Sequence, residues 1–320
     1  MVKIREAKYC NFKLILIYLV VYGHLIEAFL SEDAVAMTIY RMIYAFHMPA
    51  FVFLSGLFSK RHGLKQAKKL LLWYAVLQGA AFVLGKATIL TPYWHLWYLL
   101  SYAAWVLLGT VCSNDSKWKW LILVLSIIAG CSIGYVSWVG RELSLSRTVV
   151  FFPYYWLGRC FQTDFKGKRS RPLALLGLVF AIVLLFTLNI PVRFLYQATA
   201  YDKTQNGAML RLFCYMIGGI MSLSVRSLMP ECRLPFTRAG TDTFFIYAFH
   251  APLVLFLQKY CTLSSLSCLF YSAAIVFIFY KLQQCSRNFC GIAGERGRRW
   301  QHFKRSTRNT PDRYIDSYSP

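Results

Sequence analysis

The sequence has few charged residues and very few acids for a chain of its length. Only 15% of its 320 residues are charged, and Asp and Glu together number 13 against 36 Lys and Arg. Hydrophobic residues make up 57% of the chain, well above the usual share in soluble domains. This composition excludes an ordinary water-soluble domain and favours a membrane protein.

The chain also lacks the short motifs of several chemistries. Its ten cysteines form no CxxC pair and no metal-ligand spacing, and most lie in apolar runs as small buried residues do. The sequence contains no HExxH motif and no close histidine pair, so we expect no bound metal. The segment FLSGLF lies in an apolar run with no predicted sheet around it, so it is not a serine-hydrolase elbow.

Apolar runs of about 20 residues recur along the chain, and each is long enough to cross about 30 Å of hydrocarbon as a helix. They lack the alternation of barrel strands, so the predicted fold class is all-α, a polytopic membrane helix bundle. The first run, from Phe12, has no small-residue cleavage site behind it and is expected to be retained. The ten predicted spans are about 12–30, 37–58, 69–90, 93–112, 119–138, 147–162, 172–190, 209–229, 241–259 and 261–282.

The basic residues predict the orientation of these spans. An even number of spans places both termini on one side, and most of the 36 Lys and Arg then fall on that side, which the positive-inside rule assigns to the cytoplasm. We therefore predict a multi-pass protein of the cell membrane, with residues 1–282 as its membrane domain and 283–320 as a basic, poorly ordered cytoplasmic tail. Because the positive charge is spread over all the cytoplasmic loops, we expect anionic lipid headgroups as its counterpart and no nucleic-acid partner.

Most of the ionisable residues within the predicted spans fall in the outer half of the membrane. Such residues are costly in lipid, so they usually face a bundle interior or a wet cavity. The residues in question are His24, Glu27, Arg41, His47, His95, Arg147, Arg211 and His250. We therefore expect a polar cavity that is open to the outside.

Each of these residues can also be explained by a role in packing or anchoring the helices, without any role in a cavity. A histidine can bond a neighbouring helix, and Arg147 and Arg211 can extend to the lipid headgroups. The aromatic residues at 93–98, which include Trp97, fit an interfacial belt. Pro49, which follows His47, bends its helix and either shapes a cavity or serves packing alone.

Lys13 and His24 lie on one stripe of the first span. Eleven steps of 100° return to within about 20° of the same face, with a rise of about 16 Å. The two side chains therefore mark a cation at the cytoplasmic mouth and an imidazole deep in the membrane. A stripe of this length suits a passage for a long ligand with an anionic head.

Five segments of the sequence together resemble the acyltransferase-3 family of integral-membrane acyltransferases, and within it a bacterial branch described as fucose 4-O-acetylase-like. They occur in order, with matching spacing, over about residues 9–258. The segments are NFKLILIYLVVYGHLIE, IYAFHMPAFVFLSGLFSKR, LTPYWHLWYLLS, SRTVVFFPYYWLGR and FTRAGTDTFFIYAFH.

The resemblance implies a ten-helix domain that moves an acyl group, usually acetyl, from cytoplasmic acyl-CoA to a hydroxyl of an extracytoplasmic glycan. The signature of the family is a basic residue followed by ten residues and a histidine, which falls on Lys13 and His24 and makes His24 the catalytic histidine. His47 and Arg61 also match motif positions. Relatives often have Asp-Asn-x-Lys before the first span, whereas this chain has Cys10 in place of the aspartate.

The resemblance and the residue chemistry together suggest a division of roles. His24 acts as general base or as acyl carrier, and the sequence leaves both open. Glu27 orients His24, and Arg41 or His47 stabilises the oxyanion. The remaining predicted site residues bind substrates. The phosphates of CoA are expected to bind to Lys13, Lys60 and Arg61. CoA here is a donor substrate and not a permanently bound cofactor, and the acceptor is expected to bind to His95, Trp97, Arg147 and Arg211.

Two other functions remain open from the sequence. A transporter or flippase for a sugar or glycan intermediate would also have many spans and polar groups among them, although no internal repeat is visible. A non-catalytic relative would fit the missing aspartate at Cys10. The acceptor and the oligomeric state are left open.

Overall fold

The computed structural model shows a bundle of helices. It describes residues 2–59, 63–112, 117–160, 171–201 and 206–308, with side chains from residue 7 to residue 286 within those ranges. Short 3₁₀ turns join several of the helices, and no strand occurs in the described ranges. The predicted all-α class is therefore confirmed.

Eleven α-helices are found in these ranges. In chain order they are α1 (Val2–Ile26), α2 (Ala34–Leu57), α3 (Gly63–Val83), α4 (Trp97–Val111), α5 (Lys119–Ser132), α6 (Leu145–Cys160), α7 (Arg171–Thr187), α8 (Val192–Tyr196), α9 (Gly207–Leu228), α10 (Phe244–Tyr260) and α11 (Ser265–Arg308). Apart from the short α8, each of these helices overlaps one predicted span. The predicted tail from residue 283 includes the end of α11 and residues 309–320, which lie outside the described residues.

Four helical segments in the described part of the chain are long and apolar enough to cross a membrane. They are Ala7–Phe29, Ala34–Leu57, Gly207–Leu228 and Ser265–Ser286. Large apolar side chains such as Val83, Leu72 and Phe270 are exposed on the bundle surface, as expected where a helix meets lipid. The chain is thus a helical membrane protein, while its ten-span topology and cytoplasmic termini remain predictions.

Helices α2 and α6 approach each other at two glycines. A β-carbon built on Gly56 would lie 1.9 Å from the backbone oxygen of Tyr155, and one built on Gly158 would lie 2.1 Å from the backbone oxygen of Phe53. Only glycine fits at such distances, so the two backbones are in direct van der Waals contact. Small residues serve this purpose in membrane helix pairs, where no hydrophobic effect drives association.

Helix α2 begins at an aspartate cap. The Asp33 carboxylate accepts hydrogen bonds from the N–H groups of Val35 (2.8 Å) and Ala36 (3.1 Å) and from the Ser265 hydroxyl (2.9 Å). The Ala36 N–H and then the Ser265 hydroxyl hold the pKa of Asp33 below its ordinary value. The cap also joins the start of α2 to the start of α11, because Ser265 is the first residue of α11.

The two ends of the bundle can be named by their contacts. At the first, the Lys13 end, Lys13 contacts Phe58, which follows α2, and Thr241, which precedes α10. At the other, the Glu27 end, Glu27 follows α1 and lies among the loops that join α3 to α4 and α5 to α6. This layout places the first half of α1 and the turn after it at opposite ends of one bundle.

Candidate active site

A cavity of about 900 Å³ runs through the bundle and is lined by residues of both ends. Lys13 and Asp242 line it at the Lys13 end, and Glu27 and Arg141 line it at the Glu27 end. His24 lines the cavity between them. The cavity therefore gives one histidine access to space that reaches both ends of the bundle.

His24 and Glu27 contact each other in the cavity and form an ion pair when His24 is protonated. His24 Nδ1 lies 3.5 Å from Glu27 Oε2, which places the proton on Nδ1 when the ring is neutral, because a carboxylate can only accept. The Nε2 atom then carries the lone pair that a general base needs. The end of α1 is held in place by Gln258 Nε2, which donates to the His24 backbone oxygen at 2.7 Å.

Two other rings fix the plane of the His24 imidazole. The Trp94 ring lies 4.3 Å from it between centroids, and the His250 ring lies 5.5 Å away and within 22° of parallel. Trp94 has a positive φ of 31°, a conformation that costs a bulky residue of the order of 1–3 kcal/mol. Strained residues of this kind tend to occur at functional sites, and here the strain presents an indole to the histidine.

His47 lies on the cavity wall formed by α2. Its Nδ1 donates to the backbone oxygen of Ile43 at 2.8 Å, which leaves Nε2 with the lone pair. The ring is buried and makes an edge contact with Tyr44, whose centroid is 4.7 Å away. Pro49 lies two residues further along the same helix.

His95 is buried, yet no described residue forms a hydrogen bond of ordinary geometry with either of its ring nitrogens. His250 is fully buried next to it, at 5.0 Å between centroids. His250 Nδ1 donates to the backbone oxygens of Ile246 and Tyr247, and its Nε2 has no described partner. Because unpaired buried polar atoms are costly, the cavity-lining His95 has bonding capacity for a ligand.

Arg147 lies on the cavity wall above an aromatic ring. Its guanidinium carbon is 4.7 Å from the Trp97 ring centroid, a cation–π distance. Its Nε donates to the backbone oxygen of Tyr196 at 3.1 Å. Two of the four predicted acceptor-binding residues, Arg147 and Trp97, therefore line the cavity near the Glu27 end.

At the Lys13 end, Lys13 Nζ donates to the backbone oxygen of Thr241 at 3.0 Å and lies 5.6 Å from the Phe58 ring. Asp242 is an electrostatic neighbour of Lys13, so a carboxylate comes from the segment before α10. The other two predicted CoA-binding residues, Lys60 and Arg61, lie outside the described residues.

Arg41 is not brought to the cavity. Its guanidinium donates to the Asn189 side chain at 3.3 Å and to the backbone oxygen of Ile190 at 3.1 Å, and it lies 5.1 Å from the Phe186 ring. These contacts tie α2 to the end of α7 and to the turn that follows it. The geometry brings His47, and not Arg41, to the same cavity as His24.

Arg211 does not line the cavity either. It is fully buried, donates to the backbone oxygens of Gly130 (3.0 Å) and Thr199 (3.5 Å), and lies 4.6 Å from the Tyr201 ring. These contacts join α9 to α5 and to the loop after α8. Arg211 therefore has a structural role, because it holds these elements together.

Some residues of the site have no predicted role. Trp94 falls in the predicted aromatic belt, and His250 is visible in sequence only as a polar residue in the middle of a span. Asp242 carried no signal, since contact with Lys13 depends on how α1 packs beside the start of α10. In the described part of the chain no three His, Cys, Asp or Glu residues are arranged to hold a metal ion.

The fold and the site define a class of protein: a helical membrane protein whose central cavity holds a histidine paired with a carboxylate. A family model described as an acyltransferase domain, that of the acyltransferase-3 family, matches residues 11–280. The chain therefore belongs to the acyltransferase-3 family and is a membrane acyltransferase. No curated protein and no solved structure matches it.

Proposed function

We propose that the protein is an O-acyltransferase that moves an acyl group, most simply acetyl, from cytoplasmic acyl-CoA to a hydroxyl of an extracytoplasmic or lipid-linked glycan of the cell envelope. The observation that supports this proposal is the cavity that reaches both ends of the bundle, with His24 between Lys13 and Arg141. A donor from one compartment and an acceptor from the other can meet only at such a point. The proposal places the protein in the cell membrane, with the Lys13 end in the cytoplasm.

His24 is the general base in this proposal. Its Nε2 takes the proton of the acceptor hydroxyl while the hydroxyl oxygen attacks the thioester carbonyl. When the tetrahedral intermediate collapses, the carbon–sulfur bond breaks and the same proton passes from Nε2 to the sulfur, which leaves as the CoA thiol. An acyl-imidazole on His24 is the alternative route, and it would divide the transfer into two half-reactions.

Glu27 serves as the positioning residue for His24. Its carboxylate accepts from Nδ1, fixes the tautomer and stabilises the imidazolium that forms during the reaction. The distance of 3.5 Å is at the long end of hydrogen bonding, and such contacts commonly shorten once substrate is bound.

The carbonyl oxygen of the thioester needs hydrogen-bond donors as its charge grows. His95 is the best placed of the predicted residues, because it lines the cavity and neither of its ring nitrogens has a hydrogen bond of ordinary geometry to a described residue. His47 lines the same cavity, but its Nδ1 proton is already committed to Ile43. We therefore assign His95 to the reacting carbonyl and His47 to the cavity wall beside the acceptor.

The Lys13 end binds the phosphates of the donor in this proposal, with Lys13 and the sequence neighbours Lys60 and Arg61 as the cations. Cys10 stands where relatives often have aspartate, and its sulfur lies 3.9 Å from the Thr241 hydroxyl. Asp242, the next residue after Thr241, supplies a carboxylate near Lys13 instead. The missing aspartate is therefore a weak argument for a non-catalytic protein.

Transfer of label from [¹⁴C]acetyl-CoA to glycans, measured in membranes with and without the protein, tests the proposal. We expect labelled glycan in its presence, and we expect His24→Ala to reduce the rate by at least about 100-fold, the lower end of general-base effects. His302→Ala is a matched control, because His302 lies outside the matched residues 11–280. A transporter would give no labelled product at all, and a non-catalytic relative would bind acetyl-CoA without turnover.

A further inference from the structure

We infer that the acceptor carries a negative charge, a carboxylate or a phosphate, which binds at the Glu27 end of the cavity between Lys86, Arg141 and Arg147. The inference rests on the proposed function and names the chemical class of its acceptor. It begins from the unequal charges of the cavity wall. At the Glu27 end the described charged residues of the wall are these three cations and one carboxylate, Glu27.

That single carboxylate is already engaged. Glu27 pairs with His24, and within the described ranges neither Lys86 nor Arg141 nor Arg147 forms an ion pair with an acid. At the Lys13 end the one described cation of the wall, Lys13, has one carboxylate, Asp242, as its electrostatic neighbour, whereas at the Glu27 end three cations share Glu27. An excess of positive charge with low-dielectric walls attracts anions from solution.

The two arginines are close enough to repel each other. Arg141 and Arg147 are electrostatic neighbours, and Tyr44, Tyr196 and Glu27 also lie within electrostatic range of Arg147. Nε of Arg147 donates to Tyr196, whereas its two terminal nitrogens have no described partner. A bound anion would reduce the repulsion between the two arginines and accept hydrogen bonds from the terminal N–H groups of Arg147.

The segments that carry the cations are braced against each other. The Leu143 N–H donates to the backbone oxygen of Leu90 at 2.8 Å, which joins the turn after Arg141 to the loop that holds Lys86. Leu143 and Ser144 have positive φ angles of 47° and 57°, so this turn is held in a conformation that such residues rarely adopt. The backbone segments that carry Lys86 and Arg141 are thus joined, and such preorganisation lowers the cost of gathering cations around an anion.

The experiment compares three acceptors that differ only at carbon 6: methyl β-glucoside, methyl β-glucuronide and methyl β-glucoside 6-phosphate. Purified protein in phosphatidylcholine nanodiscs is given [¹⁴C]acetyl-CoA, so that no anionic lipid competes. We expect kcat/KM to be at least about fivefold higher for one or both anionic acceptors than for the glucoside, as one or two partly exposed ion pairs would produce. The glucuronide and the phosphate arms separate carboxylate from phosphate recognition.

The variant Arg141→Gln should remove most of this preference, because a higher KM for the anionic acceptor lowers its kcat/KM relative to that for the glucoside. Arg193→Gln is the matched control, since Arg193 is also an arginine of the Glu27 end but does not line the cavity. Equal kcat/KM for all three acceptors, or a preference that survives in Arg141→Gln, would overturn the inference while leaving the proposed acyl transfer intact. Absence of transfer to every acceptor would count against both.

Discussion

Lys13 donates a hydrogen bond to the backbone oxygen of Thr241 at 3.0 Å, which joins the first half of α1 to the segment before α10. Donor binding should therefore depend on the charge of Lys13 separately from its structural bond. In Lys13→Gln the side chain can still donate to Thr241 but has no charge. We expect the Kd for acetyl-CoA to rise about tenfold, the loss of one charge-assisted hydrogen bond to a phosphate.

Lys8→Gln is the control for this prediction. Lys8 lies on the same helix and pairs with Glu231 at 2.9 Å, a contact that lowers the pKa of Glu231, and it does not line the cavity. Isothermal titration of both variants with acetyl-CoA would measure the difference. An equal change in the two variants, or none in Lys13→Gln, would remove Lys13 from the donor site.

Glu27→Gln should reduce kcat about tenfold while the KM for acetyl-CoA stays within a factor of two, because the amide can still contact His24 but cannot stabilise an imidazolium. Glu32→Gln, in the same turn between α1 and α2, should leave both constants unchanged, since Glu32 is exposed and does not line the cavity. Steady-state kinetics on the two variants would show the contrast. A rise in KM with unchanged kcat would contradict a positioning role.

Arg211→Met should destabilise the protein by about 2–4 kcal/mol, because it leaves the buried backbone oxygen of Gly130 without a donor and removes the second hydrogen bond, to Thr199. Since Arg211 does not line the cavity, KM values measured below the unfolding temperature should not change. Denaturation monitored by tryptophan fluorescence in detergent gives the stability. A raised KM for the acceptor with normal stability would restore the predicted binding role.

Gly158→Ala should lower the unfolding temperature markedly, because its β-carbon would meet the backbone oxygen of Phe53, which cannot move without shifting α2. Gly219→Ala is the matched control in α9, where an added β-carbon meets nothing within 4 Å. In that variant we expect no loss of stability, and a helix-propensity gain of up to about 1 kcal/mol. Similar unfolding temperatures for the two variants would show that α2 and α6 can separate.

The existence of a polar cavity was predictable from sequence, but the direction of each side chain was less so. Hydropathy and charge predicted that His24, His47 and His95 face a cavity, and all three line the same cavity. Arg41 shows the limit: it is six residues before His47, and six steps of 100° leave it about 120° around α2 from that histidine. Residues at that separation cannot both face one narrow cavity, so Arg41 contacts Ile190 instead.

Contacts between distant elements could not be predicted from the sequence, for a different reason. Asp242 reaches the neighbourhood of Lys13 only because the segment before α10 lies against α1, a packing that no local pattern encodes. The same is true of Trp94, whose contact with His24 depends on a positive φ in a residue that ordinarily avoids it. Family membership was the most reliable part of the prediction, because five ordered motifs carried it.

The glycine contacts between α2 and α6 have a consequence for how substrates enter. Two backbones that touch at Gly56 and Gly158 leave no slack for sliding or tilting, so these helices must move as one body. A bulky sugar can then enter the cavity only if walls other than α2 and α6 move.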